Sequence, residues 1–199
     1  MLWLYHSPDS RSSRFIWLLE ELGVDYRLVY CGIPRRSGNG APDPSNPHPD
    51  KRVPALVHDG ALITESPAIA LYLTDLYPER GLGPSLGETN RGAYLSWLAY
   101  YAGEIEPAFA AKLSGQTDND PFAAKADDRV IARVYSALKA GAFLLSDSFS
   151  AADVLVSSIF AWFRDAVPPS AELDDWFERL AARPAATRAL GKDACPSAG

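Results

Sequence analysis

Residues 52–66 of the chain read RVPALVHDGALITES. The short apolar run Val53–His58 is typical of a buried strand, and residues 59–60 are Asp-Gly, which both tolerate the left-handed backbone of a type I′ turn. Ala61–Thr64 is predicted to return as the paired strand. The next three residues, Glu65–Pro67, begin a helix, since serine is a good N-cap and proline suits the first turn. The stretch therefore predicts a β-hairpin that leads directly into a helix.

Pro54 interrupts the first strand of this hairpin, because proline has no N–H to donate to a sheet ladder. It is expected at a strand start, at an edge, at a bulge, or after a cis peptide bond. A cis bond would turn the backbone sideways and leave the N–H and C=O of Val53 able to pair with another peptide-like molecule. Val53 and Pro54 are therefore candidate binding residues.

The rest of the N-terminal half alternates between strands and helices. Leu2–Tyr5 is a continuous apolar run that predicts a buried strand. Phe15–Leu22 has the spacing of an apolar helix face, with Gly23 just past its end. Tyr26–Tyr30 predicts a second strand, and a strand, helix and strand in so short a span favour a parallel βαβ unit. Cys31–Asp50 is rich in proline and glycine without helical period, and we expect a long loop.

Beyond the proline- and glycine-rich residues 79–87, only helical patterns remain. The longest helix is predicted from about residue 88 to residue 113. Ala151–Phe163 is apolar almost all round, which predicts a helix at the centre of a bundle. Ser150 and Asp153 have the spacing of a capping box at its start. The second half is therefore expected to be all-helical.

Composition limits the classes of partner. The formal net charge of −6 disfavours nucleic acid and anionic membrane, which both need clustered cations. No secretory signal and no apolar run of about 20 residues is visible, so no membrane span is expected. Cys31 and Cys195 form no CxxC motif, which favours a reduced, cytoplasmic setting. The three histidines, His6, His48 and His58, lack ligand spacing, so no metal site is expected; His6 is expected only to end the first strand.

Several motifs, in both halves of the chain, are the most specific in the sequence. They are His48-Pro49, Arg52–Leu56, Glu65-Ser66 with residues 68–73, Phe149–Asp153 and Trp176–Pro184. Together they resemble the glutathione S-transferase family, in particular bacterial-like cytosolic members that use serine. The resemblance implies an α/β plus all-α fold. It places a thioredoxin-like βαβ–ββα domain in residues 1–78, a linker in residues 79–87 and a helical domain in residues 88–199.

Ser10 is the residue that the resemblance implies as the activator of the glutathione thiol, since it stands four residues before Arg14 at the start of the first helix. A free thiol has a pKa near 8.5, so about one or two units of lowering are needed near neutral pH, which is roughly what one hydrogen bond to a charged group supplies. Ser12 is the alternative, and Tyr5 a weaker one. On position alone, the favoured interpretation of Ser10, Ser12 or Ser13 is an N-cap, and only the resemblance reverses this preference for Ser10.

The other glutathione contacts implied by the resemblance involve the hairpin and the helix after it. The N-terminus of that helix would hold the α-carboxylate of the γ-glutamyl group, with the Ser66 hydroxyl beside it and Glu65 holding the α-ammonium. Arg52 is the preferred partner for a carboxylate, because a guanidinium binds both oxygens. Arg35 and Arg36 are alternatives in the preceding loop.

The implied function is glutathione conjugation, in which glutathione is the co-substrate and its thiolate attacks a small hydrophobic electrophile. The acceptor pocket would lie between the domains, with Tyr100, Tyr101 and Glu104 on its wall. A homodimer with a role in detoxification is implied as well. Two alternatives stay open: a glutathione-dependent peroxidase or disulfide reductase on the same fold, and a non-catalytic binding scaffold.

Overall fold

A four-stranded mixed sheet organises the N-terminal part of the chain in a computed structural model, which describes residues 1–35 and 37–194. The strands follow the order β2-β1-β3-β4; β1 is parallel to β2 and antiparallel to β3, and β3 is antiparallel to β4. Their bounds are Leu2–His6 for β1, Tyr26–Tyr30 for β2, Ala55–His58 for β3 and Ala61–Thr64 for β4. The predicted βαβ unit and hairpin are confirmed.

Two helices belong to this sheet. Helix α1 (Ser13–Leu22) joins β1 to β2 and ends at Gly23, whose backbone has a φ of 62° and whose N–H donates to the Leu19 carbonyl. Helix α2 (Ser66–Leu76) follows β4. Among the described residues between β2 and β3 there is no helix or strand, as the composition of that loop predicted.

The hairpin has the local geometry that its sequence favours. Asp59 and Gly60 both have positive φ, 47° and 87°, as a type I′ turn requires. The Val53–Pro54 peptide bond is cis, and β3 begins only at Ala55. Of the four options for Pro54, the cis bond is therefore the one observed.

The remaining helices include the predicted long helix, which is continuous but not regular. A π-helical turn at Tyr101–Ile105 joins its two parts. Pro107 explains the irregularity, because it has no N–H for a helical hydrogen bond and a wider turn relieves the clash of its ring. The helices are α3 (Arg91–Tyr100), α4 (Glu106–Leu113), α5 (Pro121–Ala140), α6 (Ala151–Trp162), α7 (Ala171–Ala181) and α8 (Pro184–Asp193). None of the helices in residues 1–35 and 37–194 combines the length and apolar character of a membrane span.

The α6 helix is buried on nearly all sides, as its composition predicted, and the capping box of Ser150 and Asp153 is present. The Asp153 carboxylate also accepts hydrogen bonds from the Leu144 N–H at 2.9 Å and from the Trp176 indole N–H at 3.1 Å. One buried carboxylate thus fixes the start of α6, the segment before it and α7.

The described residues form two compact units, one of Met1–Tyr72 with residues 183–194, and one of Leu73–Ala182. The first unit therefore contains α8, which the predicted division assigned to the helical domain; that division stays a prediction. Ion pairs hold α8 on α1, where Arg183 Nε lies 2.6 Å from a carboxylate oxygen of Glu21 and Arg188 Nε lies 2.8 Å from one of Glu20.

Glu20 links stability to pH. Burial of its carboxylate raises the pKa, but hydrogen bonds from Lys192, Tyr26 and Arg188 outweigh this and lower the pKa to about 2. A depressed pKa stabilises the fold above the unfolded value near 4.3, and this contribution is lost as the pH falls toward about 2. The partner cations are half exposed, which reduces the contribution to about 1–2 kcal/mol.

Glu20→Gln should be less stable than the parent by that amount at pH 7 and equal to it near pH 2. Urea titrations at both pH values measure the two free energies of unfolding. A difference between parent and variant that does not change with pH would contradict the linkage.

Candidate active site

Four segments with predicted binding roles lie at one edge of the sheet. The register pairs Tyr5 with Ala55 and Ala55 with Thr64, so the end of β1, the start of β3 and the end of β4 are neighbours. His6 pairs with Tyr30 at the end of β2. The turn after β1, the loop after β2, the cis-proline and the start of α2 therefore share this edge.

The turn between β1 and α1 contains a compact cluster of hydroxyl groups. Ser10 Oγ donates to the Ser7 carbonyl at 2.6 Å and lies 2.7 Å from Ser12 Oγ. Ser12 Oγ in turn lies 2.8 Å from His6 Nδ1 and accepts the Ser7 N–H at 3.2 Å. The cluster brings together both serines that were candidates for thiol activation.

Ser12 occupies the N-cap position of α1 but does not act as a cap. Its φ of −75° and ψ of −21° are helical, and its side chain makes no capping hydrogen bond. Instead the hydroxyl points to His6 and Ser10. The N-cap interpretation therefore does not account for this serine.

The protonation of His6 decides the direction of its hydrogen bond with Ser12. Its Nε2 lies 2.9 Å from the Asp193 carbonyl oxygen, so Nε2 carries a proton. Burial lowers the pKa of His6, which favours the neutral ring, although Asp193 opposes this shift. In the neutral ring Nδ1 is an acceptor, and Ser12 donates to it. The Ser12 side chain is also fully buried, whereas Ser10 is 9% exposed, so Ser10 is the better placed of the two to meet a ligand.

Arg35, from the loop after β2, holds the turn from outside. Its guanidinium donates to the carbonyls of Pro8 and Asp9, at 2.5 and 3.2 Å, and to Ser7 Oγ at 3.1 Å. The group thus adds a positive charge beside the N-terminus of α1, which is itself favourable for an anion. Arg35 was considered as a carboxylate partner, and in the structure it contacts the serine turn.

The hairpin residues lie beside this turn. Val53 and Pro54 are buried, and Val53 lies outside the described strand pairings. Ser66 is buried as the first residue of α2, while Glu65 is exposed with a φ of 66°. A positive φ at a glutamate is uncommon and clusters at functional positions. The glutathione contacts of these four residues stay predictions.

Arg52 and Arg35, two of the proposed carboxylate partners, contact different groups. The Arg52 side chain is 73% exposed and lies 3.9 Å from an Asp50 oxygen. Arg36 lies outside the described residues. The residue that binds the glycine carboxylate of glutathione thus stays unassigned.

The residues predicted for the electrophile pocket differ in exposure. Tyr101 is buried, and its hydroxyl donates to Glu106. Tyr100 is half buried, with the Arg133 guanidinium 3.9 Å from its ring centre. Glu104 is exposed and pairs with Arg129 at 3.6 Å. The assignment of Tyr100, Tyr101 and Glu104 to a pocket wall stays a prediction.

Two residues behind the serine turn, His6 and Asp193, were not predicted as site residues from the sequence. His6 gave only the signal of a polar residue ending an apolar strand, directly before a serine-rich turn. Asp193 is 187 residues away in the chain, and no local pattern links it to His6. Within residues 1–35 and 37–194, no group of three or more His, Cys, Asp or Glu residues is placed to hold a metal ion.

Comparisons with known proteins agree with this arrangement. The N-terminal domain of glutathione S-transferase matches residues 4–81, and the C-terminal domain of the same family matches residues 100–184. Glutathione S-transferase GstA of Escherichia coli O157:H7 is 28% identical, with 80% of this chain and 81% of the relative aligned. The disulfide-bond oxidoreductase YfcG of Escherichia coli K12 is 27% identical, over 96% of this chain and 95% of the relative.

A solved structure gives the same result for the fold. A sphingomonad glutathione S-transferase, determined in complex with glutathione, superposes with a TM-score of 0.80 at 27% identity, covering 96% of this chain and 98% of that one. The two family domains together span most of the sequence, in the expected order. The chain therefore belongs to the glutathione S-transferase family.

Proposed function

We propose that the protein is a glutathione transferase, in which the Ser10 hydroxyl stabilises the thiolate of bound glutathione for attack on a small hydrophobic electrophile. The observation that carries the proposal is the shared sheet edge. There the Ser10 turn, the cis-Pro54 segment and the start of α2 at Ser66 are neighbours.

The chemistry of this edge suits a γ-glutamyl peptide. The N-terminus of α2 offers N–H groups and a positive dipole end to a carboxylate. The backbone of Val53 is outside the described ladder, so it is available to a peptide group. The α1 N-terminus and Arg35 surround Ser10 with positive potential, which favours a thiolate over a thiol. The sphingomonad relative was solved with glutathione, which supports the same ligand for this chain.

The proposal is tested by following thiolate absorbance near 240 nm against pH when glutathione is added to the protein. A pKa about one to two units below the free thiol value is expected. Conjugation of a chlorodinitrobenzene should then follow the same titration. If the protein binds no glutathione, the transferase proposal is wrong and a non-catalytic scaffold becomes the better account.

Ser66→Ala tests the γ-glutamyl end of the site. Loss of one hydrogen bond to a carboxylate should weaken glutathione binding by about 1.5–3 kcal/mol, or roughly 10- to 100-fold in Kd. The thiol pKa of whatever glutathione is bound should stay as in the parent, since Ser66 faces the other end of the ligand. Calorimetric titration with S-methylglutathione measures the first effect without the thiol. An unchanged Kd would remove Ser66 from the site.

A glutathione-dependent disulfide reductase is the second candidate, because the relative YfcG is named a disulfide-bond oxidoreductase. Cys31, the cysteine among the described residues, is buried, and burial raises the pKa of its thiol. A reductase would therefore use the sulfur of bound glutathione: its thiolate attacks one sulfur of the substrate disulfide, forms a mixed disulfide and releases the other sulfur as a thiolate. Turnover of hydroxyethyl disulfide without conjugation of chlorodinitrobenzene would favour this candidate.

Family membership supports three finer expectations: a homodimer, a cytoplasmic location and a role in detoxification. The dimer is the part with a direct test, since sedimentation equilibrium separates one chain from two.

A further inference from the structure

A continuous line of polar atoms runs from the Ser10 hydroxyl into the interior of the first unit. Ser10 Oγ lies 2.7 Å from Ser12 Oγ, and Ser12 Oγ lies 2.8 Å from His6 Nδ1. His6 Nε2 then meets the C-terminal end of α8 at the Asp193 carbonyl, 2.9 Å away. Each separation is a hydrogen-bond distance, so protons can pass along the line.

The protons in this line can be counted. With neutral His6, Ser12 donates to Nδ1, and Ser10 donates either to the Ser7 carbonyl at 2.6 Å or to Ser12 Oγ at 2.7 Å. In the second orientation every link holds one hydrogen, and Ser10 Oγ can accept a proton from outside the line. If His6 is protonated instead, Nδ1–H donates to Ser12, Ser12 donates to Ser10, and Ser10 keeps its own proton for the next acceptor. Only this arrangement places one hydrogen in every link while Ser10 donates outward.

We propose that His6 receives the proton of the glutathione thiol through Ser12 and Ser10, and that Asp193 holds the resulting imidazolium. The proposal deepens the function proposed above and rests on it. The thiol S–H bond breaks and its proton joins Ser10 Oγ; the original Ser10 proton moves to Ser12, and the original Ser12 proton moves to His6 Nδ1. One proton leaves sulfur, one arrives on nitrogen, and both serines end as hydroxyls.

Asp193 provides the second observation. Its Oδ1 is buried and accepts no hydrogen bond from the described residues, while it lies 3.5 Å from His6 Nε2. A buried carboxylate oxygen without a donor is costly, and a positive charge on the neighbouring ring compensates it. Asp193 is also the last residue of α8, where the helix dipole favours a cation. The fold thus holds a site for positive charge where the proton would arrive.

The groups that face His6 decide whether this charge is stable. Burial of the ring lowers the pKa of His6, although Asp193 and Asp9 oppose this shift. The ring centroids of Tyr30 and His6 lie 5.4 Å apart in an edge-to-face arrangement. Cys31 Sγ donates to the His6 carbonyl at 3.6 Å, and burial raises the pKa of this thiol, so it is neutral near pH 7. Arg35 adds positive charge on the outer side of the turn, next to the thiolate.

Free thiol and free imidazole differ by about two pKa units, and burial lowers the pKa of His6 further, although Asp193 and Asp9 oppose this shift. A hydroxyl donor to the thiolate supplies about one or two units in favour of the transfer. The negative charge that forms on sulfur favours the imidazolium as well. His6 acts through two serines and does not touch glutathione, so it is a positioning residue. Its test must therefore measure the proton itself.

The first experiment records the ring-nitrogen resonances of the three histidines by 15N NMR, in the unmodified protein at pH 7. With glutathione bound, His6 is expected as an imidazolium. With S-methylglutathione, which has no thiol proton, His6 is expected to stay neutral. A purely structural histidine would give the same signal with both ligands.

Variants identify the signal and test its effect. His6→Asn removes the His6 resonance, keeps an amide oxygen that accepts from Ser12, and cannot hold the proton. It should raise the thiol pKa of bound glutathione by about one unit or more and leave the Kd of S-methylglutathione unchanged. Asp193→Asn, a milder change, should leave His6 neutral in the glutathione complex. His58→Asn is the control, because His58 pairs with Leu2 at the opposite end of β1 and should change neither quantity.

The outcomes separate this inference from the function on which it rests. If the thiolate absorbance is present and His6 stays neutral, the proton leaves by another route and the relay is wrong, while the transferase proposal stands. If the parent forms no thiolate with glutathione, the transferase proposal fails and the relay fails with it.

Discussion

Ser10→Ala is expected to raise the pKa of protein-bound glutathione by about one to two units, back toward the free thiol value. The variant removes the hydroxyl that we propose as the donor to the thiolate, and it leaves the α1 N-terminus and Arg35 in place. At a pH below the thiol pKa, the fraction of bound glutathione in the thiolate form falls tenfold for each unit by which the pKa is raised. We therefore expect kcat/KM for conjugation to fall roughly 10- to 100-fold at pH 6.5. The loss should shrink as the pH approaches 9, where glutathione ionises without help. Thiolate absorbance and initial rates across this range measure both effects.

The two serine candidates give different results in this experiment. Ser12→Ala should raise the thiol pKa by less than Ser10→Ala, since the Ser12 hydroxyl is fully buried. Ser136→Ala, at an exposed position of α5, is the control and should match the parent. A lowered pKa that survives Ser10→Ala and disappears in Ser12→Ala would show that Ser12, the alternative, is the activator.

Asp153→Ala should produce the largest loss of stability of any single substitution considered for this chain. It would leave the Leu144 N–H, the Ser150 N–H and the Trp176 indole N–H buried without their acceptor. Burial raises the pKa of Asp153, yet four donated hydrogen bonds oppose that shift, so replacing the side chain removes a satisfied network. The expected cost is about 3–5 kcal/mol, a large part of typical domain stability. Urea unfolding followed by tryptophan fluorescence measures it.

Matched variants keep this prediction testable if the alanine variant does not fold. Trp176→Phe removes one of the four donors and should cost about 1–2 kcal/mol. Asp175→Ala removes an exposed carboxylate on α7 and should stay within about 0.5 kcal/mol of the parent. Equal stability of the Asp153 and Asp175 variants would mean that the buried network does not stabilise the helical unit.

Local chemistry made much of the fold predictable. Asp59 and Gly60 specify a type I′ turn because few residue pairs adopt positive φ twice in succession, and the turn then fixes the register of β3 against β4. Ser150 and Asp153 specify the start of α6 in the same local way. The serine turn could be predicted as a candidate site because Ser10 and Arg14 matched a family spacing.

Features that depend on distant parts of the chain were not predictable. The π-helical turn at Tyr101–Ile105 lies between two segments that both have α-helical periodicity, so the sequence pattern predicted a single regular helix there. The hydrogen bond of His6 to the Asp193 carbonyl joins residues 187 positions apart, so no local pattern could predict it. The ion pairs of Glu20 could not be predicted either, because their cations, Arg188 and Lys192, come from α8.

The return of α8 to α1 means that the unit containing the candidate site is not contiguous in the sequence. A chimera that transplants residues 1–72 alone would separate Glu20 and Glu21 from Arg188 and Arg183, and His6 from the carbonyl that fixes its tautomer. An exchange of this unit between relatives would therefore have to transfer two segments together, the N-terminal 72 residues and the final helix.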